Sequence, residues 1–385
     1  MNHYDFILAG GGAAGLSLAM RLMKAFPFAS ILILDRQPKL INDRTWCFWS
    51  EESSPFPEAT FRTWEHLSFF GEGFSKLFTL APFHYYLIRG LDFYRHAQTI
   101  LQQSGQVTFE YGIIHQVGEQ NGNALVCLDE GRKYSADWAF TSLYQPGNVA
   151  PQPNRYHYLK QHFRGWEIES ETAIFDPTLP TLFDFRTPQN GAMRFVYILP
   201  FDQQRALIEY TLFSPSLLSD EEYDQGLRNY INDQLKIRSY RILDVENGVI
   251  PMTDQPFPRR LGERILAIGT LGGRVKPSSG YAFLRIQKDS DAIVASLKKH
   301  GHPFELPPNP ARYRLFDSIM LQVMLRNGGK MSHIFTQLFQ NNPVQRIFSF
   351  LNESASLTQD IRLLASLQPL PFLNAWFRLK VLKKI

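Results

Sequence analysis

A short apolar segment, Tyr4-Asp5-Phe6-Ile7-Leu8-Ala9, runs directly into Gly10-Gly11-Gly12-Ala13-Ala14-Gly15 and then the helical stretch Leu16 to Phe26. A second apolar segment, Ile31 to Leu34, ends at Asp35, twenty positions after Gly15. Strand, G-x-G-x-x-G, helix, strand and acid together constrain the chain to a dinucleotide-binding βαβ unit. Gly10 permits the tight turn, Gly12 lets a pyrophosphate approach the backbone, and Gly15 lets helix and strand pack closely. The free N–H groups of the helix start meet the phosphates. Asp35 is placed to accept hydrogen bonds from a ribose.

The chain has 385 residues, enough for one large or two intimately joined domains with a sizeable core. Its formal net charge is only +4, with basic and acidic residues interspersed, which argues against a nucleic-acid binder. Two cysteines, Cys47 and Cys127, supply no disulfide framework and suit a reducing cytoplasm. The ten histidines are scattered without ligand spacing, so no metal site is expected. Neither a targeting segment nor a membrane-spanning run is expected. A basic C-terminal cluster, Arg378, Lys380, Lys383 and Lys384, is interleaved with Trp376, Phe377, Leu379, Val381 and Leu382. It reads either as a helix resting on an anionic membrane surface or as a helix with its apolar side on the core. Aromatic residues make up 14% of the chain, 31 of them Phe, which hints at a large apolar ligand.

Helical spacing is expected over residues 90–104, strands over 107–111 and 124–128, and a Pro/Asn-rich link over Gln145 to Arg155. Successive strands follow at 162–168, 182–185, 194–199 and 206–212, the last two as a hairpin. A helix near 220–236, a strand around Ile242, a buried-type strand at 264–269 and a helix from Tyr281 to about Lys298 complete the pattern, with helices beyond Pro310. The expected fold class is α/β. A discontinuous Rossmann-like FAD-binding domain (residues 1–70, 85–155 and 255–300) carries an inserted, mostly antiparallel β-sheet substrate domain (71–84 and 156–254) and a helical C-terminal region (301–385). The late strand–Gly–helix element fits a flavin enzyme better than a simple NAD dehydrogenase.

Several segments resemble flavoprotein lycopene β-cyclases. They are Asn42-Asp43-Arg44-Thr45-Trp46-Cys47-Phe48-Trp49 and Gly165-Trp166-Glu167-Ile168-Glu169. With them stand the run through Phe183-Asp184-Phe185-Arg186, Phe195 to Pro200 and Leu207-Ile208-Glu209-Tyr210-Thr211, and then Glu246-Asn247-Gly248-Val249-Ile250-Pro251-Met252 and Pro277-Ser278-Ser279-Gly280-Tyr281. Tyr313 to Leu325 resembles the helix that follows in that family. The resemblance implies an enzyme that uses reduced FAD, with NAD(P)H as a reductant, to close a ring at each end of linear lycopene without net redox change. It also implies a carotenoid partner; that greasy substrate, together with the basic C-terminal cluster, leads us to expect a cytoplasmic protein peripheral to the inner face of the cell membrane.

Ring closure requires an acid in a dry site, stabilisation of a tertiary carbocation, and a base. Glu209 is the one acid in the strand 206–212 and is expected to be the general acid. Without the resemblance, a pairing with Arg194 or Arg205, or a solvent-facing position, stands beside that reading. The expected cofactor contacts are Gly10, Gly12, Ala13, Ala14, Gly15, Asp35, Arg36 and Arg44 from the N-terminal part, and Gly269, Ser279, Gly280 and Tyr281 from the late element. Ser278 or Ser279 is equally suited to cap the following helix. Trp46, Trp49, Tyr197 and Tyr210 are expected as substrate-facing aromatics, each also a plausible core residue.

Departures from related hydroxylases are Thr270 after Gly269, where those carry Gly-Asp, and Ser135 to Phe140, which lacks Asp-Gly. Arg274 and Lys276 fall in a segment expected to line the site. A redox flavoprotein of the same superfamily (monooxygenase, halogenase or prenyl reductase) and a non-catalytic carotenoid carrier remain alternatives.

Overall fold

A computed structural model describes residues 2–144 and 151–382. Most of the link expected at 145–155, as well as Lys383 and Lys384, therefore lies outside the described residues. The opening motif folds as strand Asn2–Ala9, helix Ala13–Ala25 and strand Ile31–Asp35. These strands join a seven-stranded sheet in the order 107–111, 31–35, 2–9, 133–141, 123–128, 114–120, with the short strand 265–267 alongside 133–141. The strands 107–111, 31–35, 2–9, 133–141 and 265–267 run parallel, and the excursion through 114–128 is antiparallel. Alternation along the first strand sends Phe6 and Leu8 into the core under the helices 13–25 and 283–300, and Ile7 into the opposite core.

A second seven-stranded sheet has the order 240–253, 158–170, 205–214, 193–200, 181–184, 66–71, 74–79. It is antiparallel except where 181–184 lies parallel to 66–71. One face, with Val196, Ile208 and Tyr210, packs on the helix Asp220–Asp233, whose N-terminus is closed by a Ser219–Glu222 capping box. The other face, with Phe195, Tyr197 and Leu207, meets the C-terminal helices Ala311–Asn327 and Met331–Asn341. A small sheet of strands 45–50, 84–89 and 60–64 lies between the two cores and contributes to both, Trp49 to one and Phe48 to the other.

Trp49, expected to face substrate, is instead a core residue. It is 2% exposed, stacks on Phe348 at 4.4 Å and donates its indole N–H to the Phe348 carbonyl. A flat ring with a satisfied polar edge joins the small sheet to the C-terminal helices. Trp49→Ala should destabilise the protein by about 3–5 kcal/mol, the usual cost of emptying such a site, measured by chemical denaturation.

Candidate active site

A cavity of about 460 Å³ runs from the glycine turn to the second sheet. Gly12, Ala13, Ala14 and Gly269 line one part of it, and Tyr197, Glu209 and Glu246 another. The turn is built by close approach: a Cβ on Gly15 would stand 1.9 Å from the Gly10 carbonyl oxygen. Gly10 itself has φ +116°, a value that glycine tolerates. A Cβ on Gly12 would meet nothing within 4 Å, so its side towards the cavity is open. No side chain caps the helix that begins at Ala13, which leaves its first N–H groups for a ligand. Asp35 accepts the Gly11 N–H at 2.7 Å and the Arg36 N–H at 2.6 Å, and so braces the turn. The Arg36 side chain is exposed and takes no part in the cavity lining. Arg44 lines the cavity, with its guanidinium donating to the Asp43 carbonyl at 2.6 Å.

The late segment 269–282 forms the adjoining wall. Gly269 and Gly280 take φ +59° and +75°, and a Cβ on Gly280 would collide with the Gln161 side-chain oxygen at 1.8 Å. The helix starts at Phe283, two residues later than expected, without a side-chain cap. Ser278 donates to Asp317 at 2.6 Å instead of capping. The Ser279 hydroxyl and the Gln161 side-chain oxygen are buried without a hydrogen-bond partner among the described residues. Unpaired buried polar atoms beside a side-chain-free glycine suit the polar edge of a planar ring. Lys276, expected in the lining, turns away to a buried ion cluster with Asp317 (2.9 Å) and Glu353 (2.8 Å).

Glu209 lies on the strand Arg205–Ser214, between Gly165 and Tyr197 on the neighbouring strands. It pairs with neither Arg194 nor Arg205: Arg194 donates to the Tyr210 hydroxyl, and Arg205 pairs with Asp202. Its hydrogen-bond partner is the Thr211 hydroxyl at 2.6 Å. Glu209 keeps some accessible surface and lines the cavity. Burial, then the negative charge of Glu246, pushes it up to about 8.

Tyr197 and Tyr281 line the same wall with hydroxyls 3.4 Å apart, and Trp46 lines the cavity while stacking on Phe283. Tyr210 does not belong there. Successive strand residues project to opposite faces, so the neighbour of Glu209 is buried against the helix 220–233. Gln161, Tyr85 and Glu246 are lining residues that sequence reasoning passed over as site candidates. For Glu246 a signal existed: it opens the segment Glu246 to Met252, one of those that resemble the family.

A family model for lycopene cyclase protein matches residues 5–376. The chain belongs to the lycopene cyclase family. It is 24% identical to a lycopene beta-cyclase of Pseudescherichia vulneris, over 97% of this chain and 96% of that one. Against the lycopene beta-cyclase of Pantoea ananas the identity is 23%, over 97% of each. Among solved structures, a FAD complex of HpxO from Klebsiella pneumoniae superposes with a TM-score of 0.61 at 14% identity, covering 91% of this chain and 98% of that chain. That likeness identifies the fold as one seen in flavoproteins.

Gly12 separates ligand binding from folding in this member of the family. Its φ of −87° suits any L residue and no neighbour stands in the way. Without FAD, Gly12→Val should melt like the FAD-free parent, yet it should retain no dinucleotide, read from flavin absorbance after reconstitution with FAD.

Proposed function

We propose that this protein closes the end groups of lycopene into β-ionone rings, first giving γ-carotene and then β-carotene, with FAD bound and no net redox change. What supports the reading is a single observation: a desolvated acid, Glu209, on the wall of a cavity continuous with the glycine turn, in a chain of this family. The unpaired Ser279 and Gln161 atoms and the open face of Gly12 fit FAD. Bound and reduced, with NAD(P)H as its reductant, FAD would supply negative charge beside a developing cation.

The protein's own residues supply the remainder. Glu209 gives its proton to the terminal alkene, and its desolvated position keeps that proton available at neutral pH. The faces of Trp46 and Phe163 and the paired rings of Tyr197 and Tyr281 shape the lining and favour positive charge over water. Arg44 and the helix start at Ala13 hold the phosphate-bearing part of the cofactor.

Anaerobic incubation with lycopene and dithionite-reduced FAD should yield β rings; a requirement for oxygen would indicate a monooxygenase instead. Glu209→Gln should bind FAD and form no rings. Because Glu209 acts in its protonated form, turnover should fall about tenfold per pH unit above 8. The sign for stability follows from the same shift. The folded-state value lies above the ordinary 4.5, so the unfolded chain releases this proton first and folding is penalised as pH rises from 4.5 to 8. Glu209→Gln should therefore melt higher than the parent at pH 8, the difference closing below pH 4.5.

The same reading places the protein on a membrane surface, where a carotenoid dissolves. Among the described residues no helix is long and apolar enough to cross a membrane. Helix Pro369–Phe377 exposes Leu370 (70%), Leu373 (57%) and Phe377 (48%) beside Arg378 and Lys380. Apolar anchors flanked by cations suit an anionic headgroup layer. Replacing those three residues by Ser should abolish cosedimentation with phosphatidylglycerol vesicles while leaving the melting temperature unchanged.

A further inference from the structure

Glu246 is a second acid in the same cavity, and the sequence of events above gives it no task. Its placement follows from strand register. Gly165 pairs with Glu209 on one side and with Glu246 on the other. Residues directly opposite one another project from the same face, so both carboxyl groups rise from the cavity side of the sheet. Two strand spacings set their Cα atoms about 10 Å apart. The residue between them has no side chain. In the row Tyr197, Glu209, Gly165, Glu246 no side chain from the residue between the two acids separates them, and both acids line the cavity.

The two acids are held differently. Glu209 has one hydrogen-bond partner among the described residues, a hydroxyl. Glu246 accepts the Thr45 N–H at 2.9 Å on one oxygen and the Thr45 hydroxyl at 2.6 Å on the other. Burial raises both carboxyl groups; at Glu246 the Thr45 donors and the Arg44 charge oppose that rise without reversing it. Burial is the main reason Glu209 holds its proton, and the neighbouring Glu246 carboxyl adds to it. Two nearby acids held by different partners can divide the donor and acceptor roles between them. Each oxygen of Glu246 retains a further lone pair, so its bonds to Thr45 do not exclude an incoming proton.

We propose that Glu246 is a second catalytic residue, the base that removes the final proton from the closed ring while Glu209 supplies the first. The inference rests on the cyclisation reading and adds the base to it. Glu209 gives its proton to the less substituted carbon of the terminal alkene, leaving a tertiary cation. The neighbouring double bond attacks that cation, the ring C–C bond forms, and the positive charge moves to a ring carbon. An adjacent ring C–H bond then breaks: its electrons become the ring double bond and its proton goes to Glu246. One proton enters and one leaves, so the product is an isomer of the substrate. Glu246 returns its proton to Glu209 through solvent between rings.

Glu246→Gln preserves size and an oxygen facing Thr45, and is tested on the full-length, FAD-reconstituted protein with lycopene under anaerobic reduction. Ring formation should fall on the order of 100-fold, the usual scale for removing a general base. Flavin occupancy should be retained. Residual product should carry its double bond elsewhere in or beside the ring, because the cation then loses whichever proton solvent reaches. Glu246→Asp should recover part of the rate with the β-type double bond restored, a rescue that a merely structural role would not tie to product type. β-ring formation by Glu246→Gln at the parent rate, alongside an inactive Glu209→Gln, would overturn the base assignment and leave the cyclisation reading standing. If the parent protein forms no rings, that reading falls and the base role with it. Should Glu246→Gln fail to hold FAD, Glu246→Asp decides: slowed β-ring formation with FAD bound supports the role, and an unchanged rate ends it.

Discussion

Lys276 carries a charge into the interior, and the shape of the site depends on the ions that meet it there. Its ammonium lies between Asp317 and Glu353, and Glu353 also binds Arg285 at 2.9 Å. Ser278 adds a hydrogen bond to Asp317. Breaking a buried ion pair by removing one partner typically costs about 3–5 kcal/mol, because the remaining charge stays desolvated. The cluster therefore fixes the segment 269–282 against the C-terminal helices. That segment in turn brings Gly269, Ser279, Gly280 and Tyr281 to the cavity wall. The helical region contributes little to the lining, yet it positions the wall.

Strand alternation then divides the second sheet into two environments. Along the hairpin, Phe195, Tyr197, Leu207 and Phe213 belong to the core that adjoins the cavity, and Val196, Ile198, Ile208 and Tyr210 to the core under the helix 220–233. Glu209 falls on the cavity side, where desolvation keeps it protonated. A one-residue slip would exchange the two sets and place the acid under a helix. Such a slip is opposed by every apolar residue of both faces, so the register that aims Glu209 is set by burial spread over the whole hairpin.

Much of this was legible from the residues. The opening βαβ unit, the hairpin and the helix near 220 arise within short windows, where periodicity and turn chemistry act locally. The strand Lys133–Thr141 was not foreseen, although it pairs with the first strand over most of its length. Its alternation is blurred because it is covered on both faces and pairs on one edge with two different strands. The three strands of the small sheet, 45–50, 60–64 and 84–89, were missed for a related reason. Their aromatic residues serve two cores at once, so no single face is apolar. Tyr210 was misplaced despite a rule that places it: next to an inward acid in a strand, the neighbour points outward. Trp49 was misplaced with no local warning, since its stacking partner Phe348 lies some three hundred residues away.

The amino-acid sequence alone determined the cofactor turn, because the close approach of Gly15 to the Gly10 carbonyl and the positive φ of Gly10 act between near neighbours along the chain. It also determined which acid lies in an apolar strand. Only the tertiary structure decided what surrounds that acid. Glu246 comes from a strand 37 positions later and is set opposite Gly165 by ladder pairing. The low-dielectric cavity arises from two sheets and a late loop closing together. Proton affinity depends on neighbouring charge and excluded water, and both are properties of packing at long sequence range.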